Sequence, residues 1–138
     1  MSNYIDMAAG TGIDIVCIPL TDGASRTTVT ADVAKAICPC KGTVVAVSAW
    51  VDTIGGTTKP TDVDLTVEKG TTDLHTAIAA VGSSTNAGPQ MGALSTTAAT
   101  LRVAAGDIFH LDASITGGAS MTVVGIHAQV FVAREASS

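Results

Sequence analysis

Residues Leu94–Arg134 read LSTTAATLRVAAGDIFHLDASITGGASMTVVGIHAQVFVAR, and this stretch decides the fold. Three apolar segments rich in β-branched residues, about 99–103, 107–115 and 121–133, are cut by Gly106-Asp107 and by Gly117-Gly118. Val, Ile and Thr suit a pleated strand, and Gly-Asp and Gly-Gly suit the tight reversals between strands. Gly106-Asp107 is therefore read as a turn, and Gly117-Gly118 as a hairpin turn.

The same punctuation extends toward the N-terminus. Asp62–Lys69 alternates, with Val63, Leu65 and Val67 on one side and Asp62, Asp64, Thr66 and Glu68 on the other. That is a half-exposed antiparallel strand, with Asp62 and Asp64 guarding it if it lies at a sheet edge. Lys69-Gly70-Thr71-Thr72 reads as a turn, and Leu74–Val81 as a further strand candidate in which Ala77, Ala79 and Ala80 leave helix open. Gly42–Asp52 is apolar on both sides: Val45, Val47, Ala49 and Val51 on one, Val44, Ala46, Ser48 and Trp50 on the other. Such a strand is central or meets another subunit. Ile13–Leu20 is the first strand candidate, with Ile13, Ile15 and Cys17 on one face, Asp14, Val16 and Ile18 on the other, and Pro19 ending it or marking a sheet edge. Val33–Cys38 fits one helical turn or a strand. The tally is about eight strands at the spacing of an all-β antiparallel sandwich or barrel, with no long helix. The expected organisation is a flexible N-terminal arm over 1–12, one β domain over 13–134 and a short tail over 135–138.

Composition narrows the function. Hydrophobic residues form 46% of the 138, yet aromatics form only 3%, so the core is built from Val and Ala. A core that thin is commonly reinforced by contacts between subunits. Seven Lys and Arg against twelve Asp and Glu give a net charge of −5, without a basic cluster. Phosphate backbones and anionic membranes both call for clustered cations, so neither nucleic acid nor membrane is an expected partner. No apolar run reaches the ~18 residues of a membrane span, and the start of the chain lacks the features of a signal peptide. Synthesis in the cytoplasm is the expectation.

No residue set carries an evident reaction. The three cysteines, Cys17, Cys38 and Cys40, are an odd number without a secretory context, which argues against a disulfide framework. Cys38-Pro39-Cys40 has no second pair to complete a zinc site. The plainer reading makes Cys17 and Cys38 small buried hydrophobes and puts Cys40 at a turn. His75, His110 and His127 lack motif spacing to an acid or a cysteine; a site would need His110 and His127 to converge from successive strands. Gly10-Thr11-Gly12 lacks the Lys-Ser/Thr of a phosphate loop. No serine has a Gly-x-Ser-x-Gly setting. Asp62 and Asp64 are paired carboxylates, but a solvated strand face explains them better than a glycosidase cleft. The expectation is thus no catalytic residues, no metal and no cofactor. Trp50 is either a core residue or an exposed anchor for a subunit or partner.

Residues 42–134 resemble a recurrent domain of tailed-phage head proteins. The pieces that carry the likeness are Gly42-Thr43-Val44, Val67-Glu68-Lys69-Gly70, Leu94-Ser95, Val103-Ala104-Ala105-Gly106-Asp107 and Val130-Phe131-Val132-Ala133-Arg134. The resemblance implies a jelly roll that decorates or cements the outer surface of a capsid, often as a homotrimer. It implies the major capsid protein and further copies of itself as partners, and a virion location. It supplies no catalytic residue. Within that reading the arm, through Tyr4, Ile5 and Met7, is expected to hold the capsid. The alternative is a receptor- or carbohydrate-binding module displayed on the virion as a head fibre or tail component. The chain has only Tyr4, Trp50, Phe109 and Phe131 to offer a sugar.

Overall fold

The chain reverses at Gly70-Thr71, and the whole fold grows from that reversal. Gly70 has φ +63°, as the first position of a primed two-residue turn requires. Across the turn Lys69 pairs with Thr72 and Glu68 with Asp73. The structure is a computed structural model that describes residues 14–27, 30–56, 60–81, 89–117 and 121–135. Its elements in order are β1 (Asp14–Arg26), β2 (Thr30–Ile37), β3 (Gly42–Gly56), β4 (Pro60–Lys69), β5 (Thr72–Asp73), β6 (Ile78–Val81), β7 (Gln90–Met91), the single helical turn α1 (Ala98–Leu101), β8 (Arg102–Val103), β9 (Ile108–Gly117) and β10 (Met121–Arg134).

Strands leading to the turn pair with strands leaving it, all antiparallel. β4 pairs β5 and β6, β3 pairs β8 and β7, β2 pairs β9, and β1 pairs β10. The pairs alternate between two sheets. A front sheet runs β1-β10-β3-β7, with β8 also on β3; a back sheet runs β2-β9-β4-β5, with β6 also on β4. One long hairpin wrapped in this way is the strand order of a jelly roll, an all-β antiparallel sandwich.

The two inner faces form one aliphatic core. Val44, Val47, Ala49, Val51, Val123, Ile126, Ala128, Val130 and Val132 come from the front sheet. Val63, Leu65, Val67, Phe109, Leu111, Ala113 and Ile115 come from the back sheet. Among the described residues Phe109 is the only Phe, Tyr or Trp whose ring is fully inside. Burying each Val or Leu contributes about 1.5–3 kcal/mol.

Several sequence expectations change here. β9 and β10 lie in different sheets, so the Gly117 corner is a crossover and not a hairpin turn; Gly118 lies outside the described residues. The 99–103 segment is mostly the α1 turn, and only Arg102–Val103 is strand. Leu74–Val81 is interrupted: only Ile78–Val81 is a ladder strand, and His75 makes an isolated bridge to Leu94. β3 runs on through Ile54-Gly55-Gly56, which the sequence suggests is a loop. β1 passes through Pro19 as far as Arg26 and turns Ile18 and Leu20 inward, leaving Ile15 and Cys17 exposed. β4 is an interior strand, flanked by β9 and by β5 and β6, so Asp62 and Asp64 guard no edge. The segment 30–37 is a strand, where the sequence left helix and strand both open.

Candidate functional site

The outer face of the front sheet carries the most unusual grouping of side chains. Cross-strand register fixes its rows. Ile15 lies beside Ala133 and Thr43, Cys17 beside Phe131 and Ala46, Pro19 beside Gln129, Ser48 and Met91, and Thr21 beside His127 and Trp50. Ile15, Val45 and Met91 are 48%, 44% and 65% exposed, and Trp50 and Phe131 are half-buried. Trp50 is thus an outward residue of a central strand and not part of the core. That agrees with the anchor alternative in its position, and leaves its partner to be identified.

His127 is held on three sides. Its ring stacks on Trp50 at 5.2 Å between centroids and 21° between planes. Nε2 lies 2.6 Å from Asp52 Oδ2, and Nδ1 lies 3.2 Å from Thr21 Oγ1. Asp52 reaches the ring because Gly125 opposes it: a Cβ on Gly125 would fall 2.5 Å from Asp52 Oδ2. Gly125 has φ +75° in the middle of β10, a conformation that favours glycine. The order carboxylate, imidazole, hydroxyl has the form of a catalytic relay. On this outer sheet face its direct effect is mechanical: it fixes the imidazole, and the imidazole fixes the indole. Asp52, Thr21 and Gly125 belong to no motif in the sequence. The one local signal was that Trp50 and Asp52, two residues apart, share a strand face.

The outer face of the back sheet is chemically different. Asp62, Asp64, Thr66 and Glu68 of β4 stand beside Thr116, Ser114, Asp112 and His110 of β9. Asp112 Oδ1 accepts the Asp32 N–H at 2.7 Å, and His110 Nδ1 lies 2.9 Å from Asp32 Oδ1. Asp32 occupies the left-handed region with φ +54°, inside the irregular stretch of β2 between Thr30 and Ala34. A hydrogen bond to Asp112, reinforced by burial and by the charges of Asp112, Asp73 and Asp32, pushes the Glu68 carboxyl up to about 7. Burial opposes the ionised form of Asp112, but hydrogen bonds from Glu68 and from the Asp32 N–H outweigh it and hold that carboxyl low. Burial, and then the neighbouring Asp62, raise Asp64.

The remaining sequence candidates fall apart in space. His110 lies on the back outer face and His127 on the front, so the two do not converge. His75 is buried and serves the backbone of Val67 and Thr76. Cys17 is exposed on the front face, which corrects its reading as a buried residue. Cys38 is buried, and burial pushes its thiol up; its Sγ meets the Cys40 carbonyl at 3.1 Å. Its backbone clamps the Gly106-Asp107 turn, Cys38 N–H donating to Asp107 and Gly106 N–H to Cys38. Among the described residues no three His, Cys, Asp or Glu side chains group as a metal site, and no helix is long and apolar enough to cross a membrane. Tyr4, Ile5 and Met7 lie outside the described residues.

No protein-family profile matches the chain, and no curated protein matches it. Among solved structures it is similar to the crystal structure of FLHE, with a TM-score of 0.42 and 14% identity. That match covers 89% of this chain and 95% of the other. A likeness at that level carries no functional information.

Proposed function

We propose that this chain is a virion structural protein that binds the outer surface of a capsid lattice and stabilises it, as a decoration or cement protein working as a homotrimer. The observation that supports this best is the strand order. The resemblance of residues 42–134 to phage head proteins implies a jelly roll, and β1-β10-β3-β8 facing β2-β9-β4-β5 is that order. The short pieces that carry the likeness also meet in space. Gly42 at the start of β3 lies between Arg134 of β10 and Val103 of β8. Lys69 Nζ reaches the carbonyls of Ala99 and Arg102 at 3.2 and 2.7 Å, and the Gly106-Asp107 turn locks onto Cys38. Fold alone does not assign a function. The surface adds a second strand of support: one outer face apolar, the other acidic, as befits a knob held in an assembly and bathed by water on its far side.

The test mixes the purified chain with undecorated capsids of a tailed phage carrying this gene. Co-sedimentation and a higher melting temperature of the particle are expected. A chain that stays in the supernatant and leaves particle stability unchanged refutes the proposal. The alternative, a displayed carbohydrate-binding module, draws on Trp50 lying beside Ser48, Gln129 and Asp52 on an exposed sheet face. A glycan array discriminates the two, since a cement protein gives no hits.

A further inference from the structure

We infer that the outer face of the front sheet is the surface through which copies of this chain associate with one another, with Trp50 as its central anchor. This rests on the self-association in the proposed role and names the surface that carries it, without calling on capsid binding.

The first argument is chemical. Ile15, Cys17, Pro19, Val45, Met91 and Phe131 share one sheet face with Trp50 and run along it to the Pro19–Met91 row beside that ring, several of them well exposed. A contiguous apolar patch of that kind on a small domain marks a contact surface. Trp50 is also pre-organised. His127 stacks on it and is pinned in turn by Asp52 and Thr21. An aromatic side chain already fixed in place loses little rotamer freedom on binding, which is the physics of an interface anchor.

The second argument is charge, and it selects a second copy as the occupant. The chain carries −5, so two copies repel unless they meet where charge is already neutralised. On the outer face of the front sheet the two carboxylates Asp14 and Asp52 are matched in number by the two guanidinium groups of Arg102 and Arg134. Asp52 meets His127 at 2.6 Å, Asp14 meets Arg134 at 2.6 Å, Asp22 meets Arg26 at 2.9 Å, and Lys41 meets Glu135 at 3.4 Å. The back sheet instead presents Asp62, Asp64, Glu68, Asp73 and Asp112. Back faces gathered around a three-fold axis would set carboxylates against carboxylates; front faces gathered there would not.

The third argument is size. From Thr43 to Asp52 the face runs about 30 Å along β3, and up to four strands make it about 19 Å wide, at ~3.3 Å per residue and ~4.8 Å per strand. Only β1, β10 and β3 run the full length, with the two-residue β7 and β8 as short fourth strands, so the footprint is about 500 Å² per copy, or about 1,000 Å² for two, which reaches the ~1,000 Å² that a specific contact needs.

The experiment measures the mass of the full chain in solution, without capsids, by sedimentation equilibrium over a wide concentration range. Wild-type protein is expected to exceed its 13.7 kDa monomer mass. Val45→Glu and Met91→Glu place a carboxylate on the patch at exposed positions where the fold tolerates it, as circular dichroism will confirm. Each should weaken association roughly tenfold or more, because like charges then face each other. Ser114→Lys, exposed on the back face, should leave the mass unchanged. Cys17 supplies a readout that needs no variant: its alkylation should slow as the protein is concentrated and recover in Val45→Glu. A wild-type chain that is monomeric throughout overturns the inference. So do folded patch variants that keep the wild-type mass, or a Cys17 that reacts equally fast in assembly and monomer.

Discussion

His75 is buried with both ring nitrogens engaged: Nε2 accepts the Val67 N–H at 2.8 Å and Nδ1–H donates to the Thr76 carbonyl at 2.7 Å. That arrangement needs the neutral ring, and burial pushes its pKa down. The unfolded chain therefore binds a proton more readily below about 6.5, so His75 contributes stability above that pH and loses it as pH falls. His75→Ala leaves the Val67 N–H unpaired and opens a cavity; urea unfolding at pH 8 should register a loss of about 2–4 kcal/mol. Glu68 has the opposite sign. Its folded pKa, about 7, lies above its ordinary value of 4.5, so the folded state holds the proton more tightly. Stability from Glu68 is complete below pH 4.5 and is lost as pH rises toward 7. Glu68→Gln, which keeps a donor for Asp112, should flatten the melting temperature across that window and exceed wild type above pH 7. An unchanged slope in thermal melts would contradict the shared proton. None of this was legible in the sequence. Three histidines without motif spacing could be read as unlikely to act together, but which one is buried, and which acid faces Asp112, depends on pairing between strands distant in the chain.

At the scale of the element, bulges separate the periodic pattern from the real strands. Between Phe131↔Ala46 and Val132↔Val44 the ladder advances one residue in β10 and two in β3, so Val45 is the extra residue. It turns outward while Val44 joins Val47, Ala49 and Val51 inside. Strict alternation over Gly42–Asp52 puts Val45 on the inner face for this reason, since one inserted residue exchanges the faces beyond it. Where the ladder is regular the alternation reads correctly: from Asp62 to Lys69, past the shift at Pro60/Asp62, β4 pairs β9 residue for residue and Val63, Leu65 and Val67 point in. Gly125 is the second local device. Gly125→Ala meets both a left-handed backbone and the Asp52 carboxylate, and should cost roughly 1–3 kcal/mol in urea unfolding. The variant should also shift the His127 ring resonances, because Asp52 must move. A variant as stable as wild type, with those resonances unmoved, would show that the contact is slack.

For the molecule as a whole, the two outer faces divide the labour: an apolar one around Trp50 and an acidic one around Glu68 and Asp112. In the proposed role, attachment to the capsid falls to the first twelve residues, with Tyr4, Ile5 and Met7 as apolar contacts. Deleting residues 1–12 should leave a folded oligomer by circular dichroism and sedimentation, and should abolish co-sedimentation with capsids. Retained binding would move the attachment site onto the sandwich. The sequence by itself determined the class of fold. β-Branched runs, Gly-rich reversals and the 2-residue period are local properties, and they suffice to specify strands and a Val-rich core. It also determined the acidic balance and the scarcity of aromatic rings. Only the tertiary structure decided which strands share a sheet, that Gly117 is a crossover, that Trp50 faces outward and that His127, Asp52 and Thr21 meet around it. Those facts depend on register between residues as much as 106 positions apart, and a periodicity read along the chain holds no information about register across it.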